Sequence, residues 1–234
     1  MRHPLAPALP VTAAAAAWLA AALSATAAHA DPDHIEVSVG ATARALRSPS
    51  ANALTAGDLD GTTVGVARDI GRDLGIDSDL GAVHALSLWA EAGLVASSAT
   101  GTMFQTLSTS IDGVAVTGGL GARFRLHRLL GLNLHAGLGA QRARVAISSG
   151  STTAYDHAWG MLAQASAALD LFAVRRPFGL GVRLEAGYAL AQGIALTPHT
   201  DEPGDARPLA MTAAQLGRLD LSGPAAAISA FGQF

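Results

Sequence analysis

The feature that most constrains this chain is the alternation over residues 178–190, FGLGVRLEAGYAL. Phe178, Leu180, Val182, Leu184, Ala186, Tyr188 and Leu190 fall on one side. Gly179, Gly181, Arg183, Glu185, Gly187 and Ala189 fall on the other. A period of two is a β-strand, here with one oily face and one small or charged face. The run is about twice the usual strand length of roughly 5–6 residues. That length, with an aromatic on the oily side near its end, suits a strand crossing a bilayer at a tilt of about 45°.

The same pattern recurs along the chain. It predicts strands over residues 35–44, 62–69, 86–95, 114–125, 132–141, 159–171, 178–190 and 225–234. Eight is an even count, as a closed bacterial barrel requires. Closure pairs every backbone donor and acceptor without water, which an open sheet in lipid cannot do. The expected fold is therefore all-β: an eight-stranded antiparallel up-and-down transmembrane barrel. Residues 45–60, 96–111, 147–155 and 191–220 read as long polar loops, with strand extensions as an alternative within 96–111, and the connections after strands four and six as tight turns. Long outer loops and short periplasmic turns would place both termini on the periplasmic side. Trp89 breaks the pattern, because it falls on the polar face of its strand. It either plugs the interior or marks a bulge that shifts the parity. A soluble lipocalin-like barrel is the competing fold, and it would turn its large apolar residues inward.

Composition agrees with a lipid-facing exterior. Charged residues are only 14 % of the 234, against about 25 % in ordinary globular domains. The net charge of -3 gives no basic footprint for nucleic acid. Residues 1–30 read as a secretory signal: Arg2 and His3, an Ala/Leu-rich core, and Ala28-His29-Ala30 as the cleavage site. An uncleaved anchor is the alternative. The mature domain would span residues 31–234, in the outer membrane. It holds no other apolar run long enough for a membrane-spanning helix.

The pattern resembles the small bacterial outer-membrane β-barrels of the OmpA/OmpX type and the OmpW-like barrels. The resemblance covers most of residues 35–234 and is sharpest at the end. Phe234 closes the chain, with Gly232, Ala230 and Ile228 on its side. In that family such an ending is read by the barrel-assembly machinery, so the resemblance implies an assembly signal at Ile228 and Phe234.

Glu36, Arg44, Glu91, Arg123, Asp170, Arg183 and Glu185 carry the inward parity. An eight-stranded barrel is just wide enough for its side chains to fill. Buried ions must then be paired, since an unpaired one costs several kcal/mol. A salt-bridged structural plug is the expectation, and a narrow pore or proton path the alternative. Phe124 and Phe178 at one end, with Trp159 and Tyr188 at the other, form an aromatic girdle. Arg142 and Arg144 carry the outward parity at the outer end of strand five. Either they meet lipopolysaccharide phosphates or the strand has already left the membrane there.

No metal or cofactor pattern is present. The eight histidines show no HExxH spacing, and His135 reads as an interior polar group. His157, Asp156 and Ser151 are a thin basis for a lipid-modifying enzyme, so the expectation is that the protein is not an enzyme. The expected role is structural or adhesive, through long surface loops. A narrow porin-like channel for small hydrophobic or ionic solutes comes second, and a barrel enzyme third. The expected partners are outer-membrane lipid, lipopolysaccharide and, during biogenesis, the assembly machinery. The protein is expected to be a monomer.

Overall fold

The computed structural model describes residues 35–55, 57–71, 78–79, 85–103, 106–150, 152–174, 178–199 and 217–234. The proposed signal, residues 1–30, lies outside them. Eight long strands run in order: β1 (Ile35–Ala45), β2 (Asp58–Asp69), β3 (Ala85–Met103), β4 (Leu107–His127), β5 (Leu130–Ser149), β6 (Thr152–Val174), β7 (Gly179–Ala191) and β8 (Gly223–Gln233). Each pairs antiparallel with its sequence neighbours. β1 pairs with β8 from Glu36↔Gln233 to Arg44↔Ala225, and this pairing closes the ring. The chain is an eight-stranded up-and-down barrel with Ile35 and Phe234 at one rim. We call that rim the terminal end and the opposite one the loop end.

The faces follow the parity of the sequence. On β7, Leu180, Val182, Leu184, Ala186, Tyr188 and Leu190 are exposed, while Gly179, Arg183 and Ala189 are buried. Around the barrel this exterior belt is built from Leu, Val, Ala, Met and aromatics. It carries no charged side chain over Val114–Phe124 of β4, Leu132–Ala140 of β5 or Trp159–Leu171 of β6. A water-exposed surface of this kind would be unfavourable, whereas acyl chains accept it. This is the exterior of a bilayer-spanning barrel.

One expectation from the sequence is corrected and one of its alternatives is taken up. Residues 147–155 are not a long loop, and most of residues 96–111 are strand extensions. β3 and β4 continue as one hairpin to Met103 and Leu107, and β5 and β6 to Ser149 and Thr152. Gly150, with φ of 60°, supplies the left-handed turn between the latter pair. These extensions were hidden because serines and threonines replace leucines on their outer face, where water replaces lipid.

The region after β1 is not simply loop either. A one-and-a-half-turn helix, α1 (Pro49–Leu54), starts at Ser48 with proline in its first turn. It lies across the barrel mouth with Ala51 and Leu54 buried. A two-residue ladder, Ile194–Ala195 against Arg218–Leu219, closes over the same end.

Candidate functional site

The lumen divides into three storeys, each built by different residue types. The lowest is a charged floor near the terminal end. Glu36 on β1 is 2 % exposed and sits between two arginines. Arg123 on β4 grips it with two hydrogen bonds, 2.6 and 3.0 Å long. Arg183 on β7 does the same at 2.9 and 3.2 Å. Arg183 also donates twice to Asp170 on β6, at 2.6 and 2.9 Å. The Gln233 amide is a third partner, donating to Glu36 at 3.0 Å. Fork-on-carboxylate pairing of this kind fixes geometry as well as charge.

The floor is braced by aromatic rings. Trp89 is buried, and the Arg123 guanidinium lies 3.9 Å from its ring centre. Of the two readings of Trp89, the interior plug is therefore correct, and no bulge is needed. The Arg183 guanidinium lies 5.2 Å from the Phe231 ring, which meets Phe172 edge-on at 5.1 Å. Glu91 extends the network upward, accepting from Arg123 at 3.3 Å and meeting His135 Nδ1 at 2.5 Å. The glycines around this pair make the room it needs. A Cβ at position 121 would run into the Glu91 carboxylate, and one at position 137 would stand 2.8 Å from His135 Nε2. Three atoms in this layer are buried without a hydrogen-bond partner: Arg123 Nε, Asn133 Oδ1 and His135 Nε2.

Above the floor is a cavity of about 140 Å³. Ser38, Thr63, Thr117, Gln164, Ser166 and Glu185 contribute to its wall. The size resembles an engineered cavity that takes up a benzene-sized molecule. Glu185 makes no ion pair or hydrogen bond among the described residues. Arg44 lines the upper part, donating to the Gln141 side chain at 3.2 Å and the Leu221 carbonyl at 3.4 Å. Of the seven interior charges read from the sequence, five therefore join one network. Arg44 and Glu185 stand outside it.

The top storey is an apolar stopper. Leu46, Leu54, Leu59, Ile111, Val145, Ile194, Leu196, Leu219 and Leu221 pack into one cluster inside the loop end. Burying each such side chain contributes roughly 1.5–3 kcal/mol. Backbone groups are satisfied locally. The Arg47 amide donates to the Ser222 carbonyl at 3.3 Å, and Ser50 Oγ to the Arg218 carbonyl at 3.2 Å. The buried Thr109 hydroxyl donates to the Leu54 carbonyl. Sequence reasoning missed this layer, because its leucines are scattered through segments that lack any period.

The remaining sequence candidates lie on the surface. Phe124, Trp159, Phe178 and Tyr188 all carry the outward parity, the first half-buried and the others exposed. Ile228 and Phe234 also point outward. The Phe234 and Ile35 backbones exchange hydrogen bonds at 2.9 and 3.1 Å, so the terminal residue is part of the ring. Asp156 accepts from the backbone amides of His157 and Thr197, each at 2.7 Å. Its carboxylate thus holds backbone, and among the described residues it meets no imidazole. Ser151 lies outside the described residues. No group of three metal-ligating side chains occurs among the described residues.

No protein-family model and no curated protein matches the sequence. Among solved structures, the chain is similar to Ail, the attachment invasion locus protein of Yersinia pestis. The TM-score is 0.43 at 11 % identity, covering 86 % of this chain and 97 % of that one. A second Ail structure, in complex with the heparin analogue sucrose octasulfate, gives the same TM-score at 12 % identity, with the same shares covered. The translocator domain of the autotransporter NalP from Neisseria meningitidis matches with a TM-score of 0.41 and 12 % identity, covering 95 % of this chain and 97 % of that one.

Proposed function

We propose that this chain is an outer-membrane barrel that does not conduct in its resting state, and that its role is to hold a rigid β-wall above the membrane. The observation that carries this reading is the double closure of the lumen. A salt-bridged floor stands at one end and an apolar stopper at the other. Either layer alone would block a hydrated ion, which needs an open, water-lined path. The extended hairpins of β3–β4 and β5–β6 replace the loops expected from the sequence and give the outer surface a stiffer frame. On this reading the outward Ile228 and Phe234 serve recognition during assembly, and lipid is the barrel's permanent neighbour. The protein works as a monomer and catalyses no reaction.

Planar-bilayer recording of the refolded protein tests this. A silent membrane over a range of voltages supports it. Steady unitary steps would overturn it in favour of a narrow channel, the reading that the cavity of about 140 Å³ favours.

A further inference from the structure

Outside the lumen, the loop-end rim is not uniform. On β5 the outward side chains just above the oily belt are Arg142 and Arg144, both exposed. Register places Arg142 between Val114 of β4 and Trp159 of β6, and Arg144 between Asp112 and His157. Arg142 makes no ion pair or hydrogen bond among the described residues. The Arg144 guanidinium lies 5.1 Å from the Tyr155 ring. Two pairing steps below Arg142 on its own strand is Leu138, and Met161 and Leu190 lie on the next two strands. Leu138, Met161, Trp159 and Leu190 are 67, 63, 62 and 61 % exposed. They are the four most exposed large apolar side chains among the described residues. The four most exposed large apolar side chains therefore lie beside and below two arginines. Across the ring, the corresponding rim of β2 presents the exposed carboxylates of Asp58 and Asp60 above small residues.

We propose that the β5–β6 rim binds a phosphorylated glycolipid of the surrounding leaflet. Its phosphates sit in the Arg142 and Arg144 forks, and its acyl chains lie along Leu138, Met161 and Leu190. Every basic Lys/Arg residue of the chain is an arginine. The planar guanidinium matches phosphate oxygens two at a time, which an ammonium does not. Trp159 marks the water–acyl boundary, the depth at which indoles collect. The arginines beside and above it thus stand at headgroup depth. Asp112, beside Arg144 on β4, bounds the site on that flank, and the β2 rim offers carboxylates where β5 offers guanidinium groups. This proposal rests on the bilayer-spanning reading and names the lipid at its rim.

The test uses the refolded full chain in detergent micelles and native mass spectrometry. The added probes are diphosphoryl lipid A, its dephosphorylated form and inorganic phosphate. The wild type is expected to retain diphosphoryl lipid A. R142Q/R144Q should weaken retention on the order of tenfold per arginine, since hydrogen bonds to charged groups are the strong ones. D58N/D60N, on the opposite side, should leave it unchanged. R142K/R144K should fall between wild type and R142Q/R144Q, and it stands in for that variant should the latter not fold. Equal retention by wild type and the arginine variants would overturn the proposal. So would equal retention of the dephosphorylated lipid, which would leave only an apolar track, or equal binding of free phosphate, which would leave only an ion site. Heat-modifiable gel mobility is read in parallel. If the wild type never gives the compact barrel form in lipid, the bilayer-spanning reading fails, and it fails separately from the lipid site.

Discussion

Strand β5 obeys opposite rules below and above Gln141. Below it, the outward residues are Leu132, Leu134, Ala136 and Leu138, and the inward ones are Asn133, His135, Gly137 and Gly139. Above it, the outward residues are Arg142 and Arg144, and the inward ones are Ala143, Val145 and Ile147, all buried. The backbone is the same antiparallel ladder throughout. What changes is the solvent outside: acyl chains below, water above. In lipid, burial in the lumen offers an apolar side chain nothing that the exterior does not, so the lumen there is left largely to polar groups and the few rings that brace them. In water the hydrophobic effect returns, and the upper barrel packs like an ordinary soluble one. The floor and the stopper are the two products of this switch, and they should fail in different ways.

Breaking the floor should have the larger effect. Glu36→Ala leaves Arg123 and Arg183 facing each other with their shared carboxylate gone. Removing one partner of a buried pair costs about 3–5 kcal/mol. The urea midpoint of the refolded barrel in micelles is expected to fall accordingly, as one cooperative transition. A loss below about 1 kcal/mol would mean that water reaches the arginines, and the floor would then be no seal.

Breaking the stopper should have a smaller and more local effect. Leu219 is fully buried, and Leu219→Ala should cost about 2–4 kcal/mol, within the range of leucine truncations in packed cores. The loss is expected in the local opening of the loop end. Hydrogen exchange should speed up in α1 and in the Arg218–Leu219 ladder, while β7 below Tyr188 stays protected. Uniform acceleration through all eight strands would mean that floor and stopper form a single cooperative unit and do not fail separately.

A third change probes how tightly the floor is fitted. Gly121→Ala places a methyl against the Glu91 carboxylate, which must move away from His135 or Arg123. A cost of about 1–3 kcal/mol is expected, as for other overpacked interiors. The double substitution Gly121→Ala with Glu91→Ala should recover part of it in the same urea experiment. No recovery would place the strain in the backbone.

Much of this was legible in the sequence. A period of two is sensed residue by residue, so it gave the strands, their inward and outward faces and the pool of interior charges. Partner choice was not legible. Glu36 and Arg183 are 147 positions apart. They meet only because β1 closes on β8 and β8 pairs with β7 in a particular register, and no local pattern carries that register. The stopper was hidden for another reason. Leu196 closes the short run Ile194-Ala195-Leu196, and Leu219 and Leu221 flank Asp220; both stretches are too brief for a period to mark them as core. One trace was available: Ser48-Pro49 ahead of SANAL has the form of a helix start. The upward extensions carry no lipid-facing pattern: Ser108, Ser110 and Ser148 make a water-facing surface, and serine-rich stretches have the composition of loops.

The smallest expected effect sharpens the comparison most. Glu185 lies between the two regimes, on the inward face of β7, in the wall of the cavity and outside the ion-pair network. If the cavity holds water, its carboxylate is solvated there, and Glu185→Gln should change stability by no more than about 0.5 kcal/mol, as for an exposed position. Asp170, buried and two-pronged on Arg183, is the control: Asp170→Asn should cost several times more in the same titration. Equal losses at the two sites would show that Glu185 is held as firmly as the floor, so that the polar network fills the lumen up to the stopper. A Glu185→Gln protein that gained stability would point instead to a dry cavity in which the carboxylate is a standing cost.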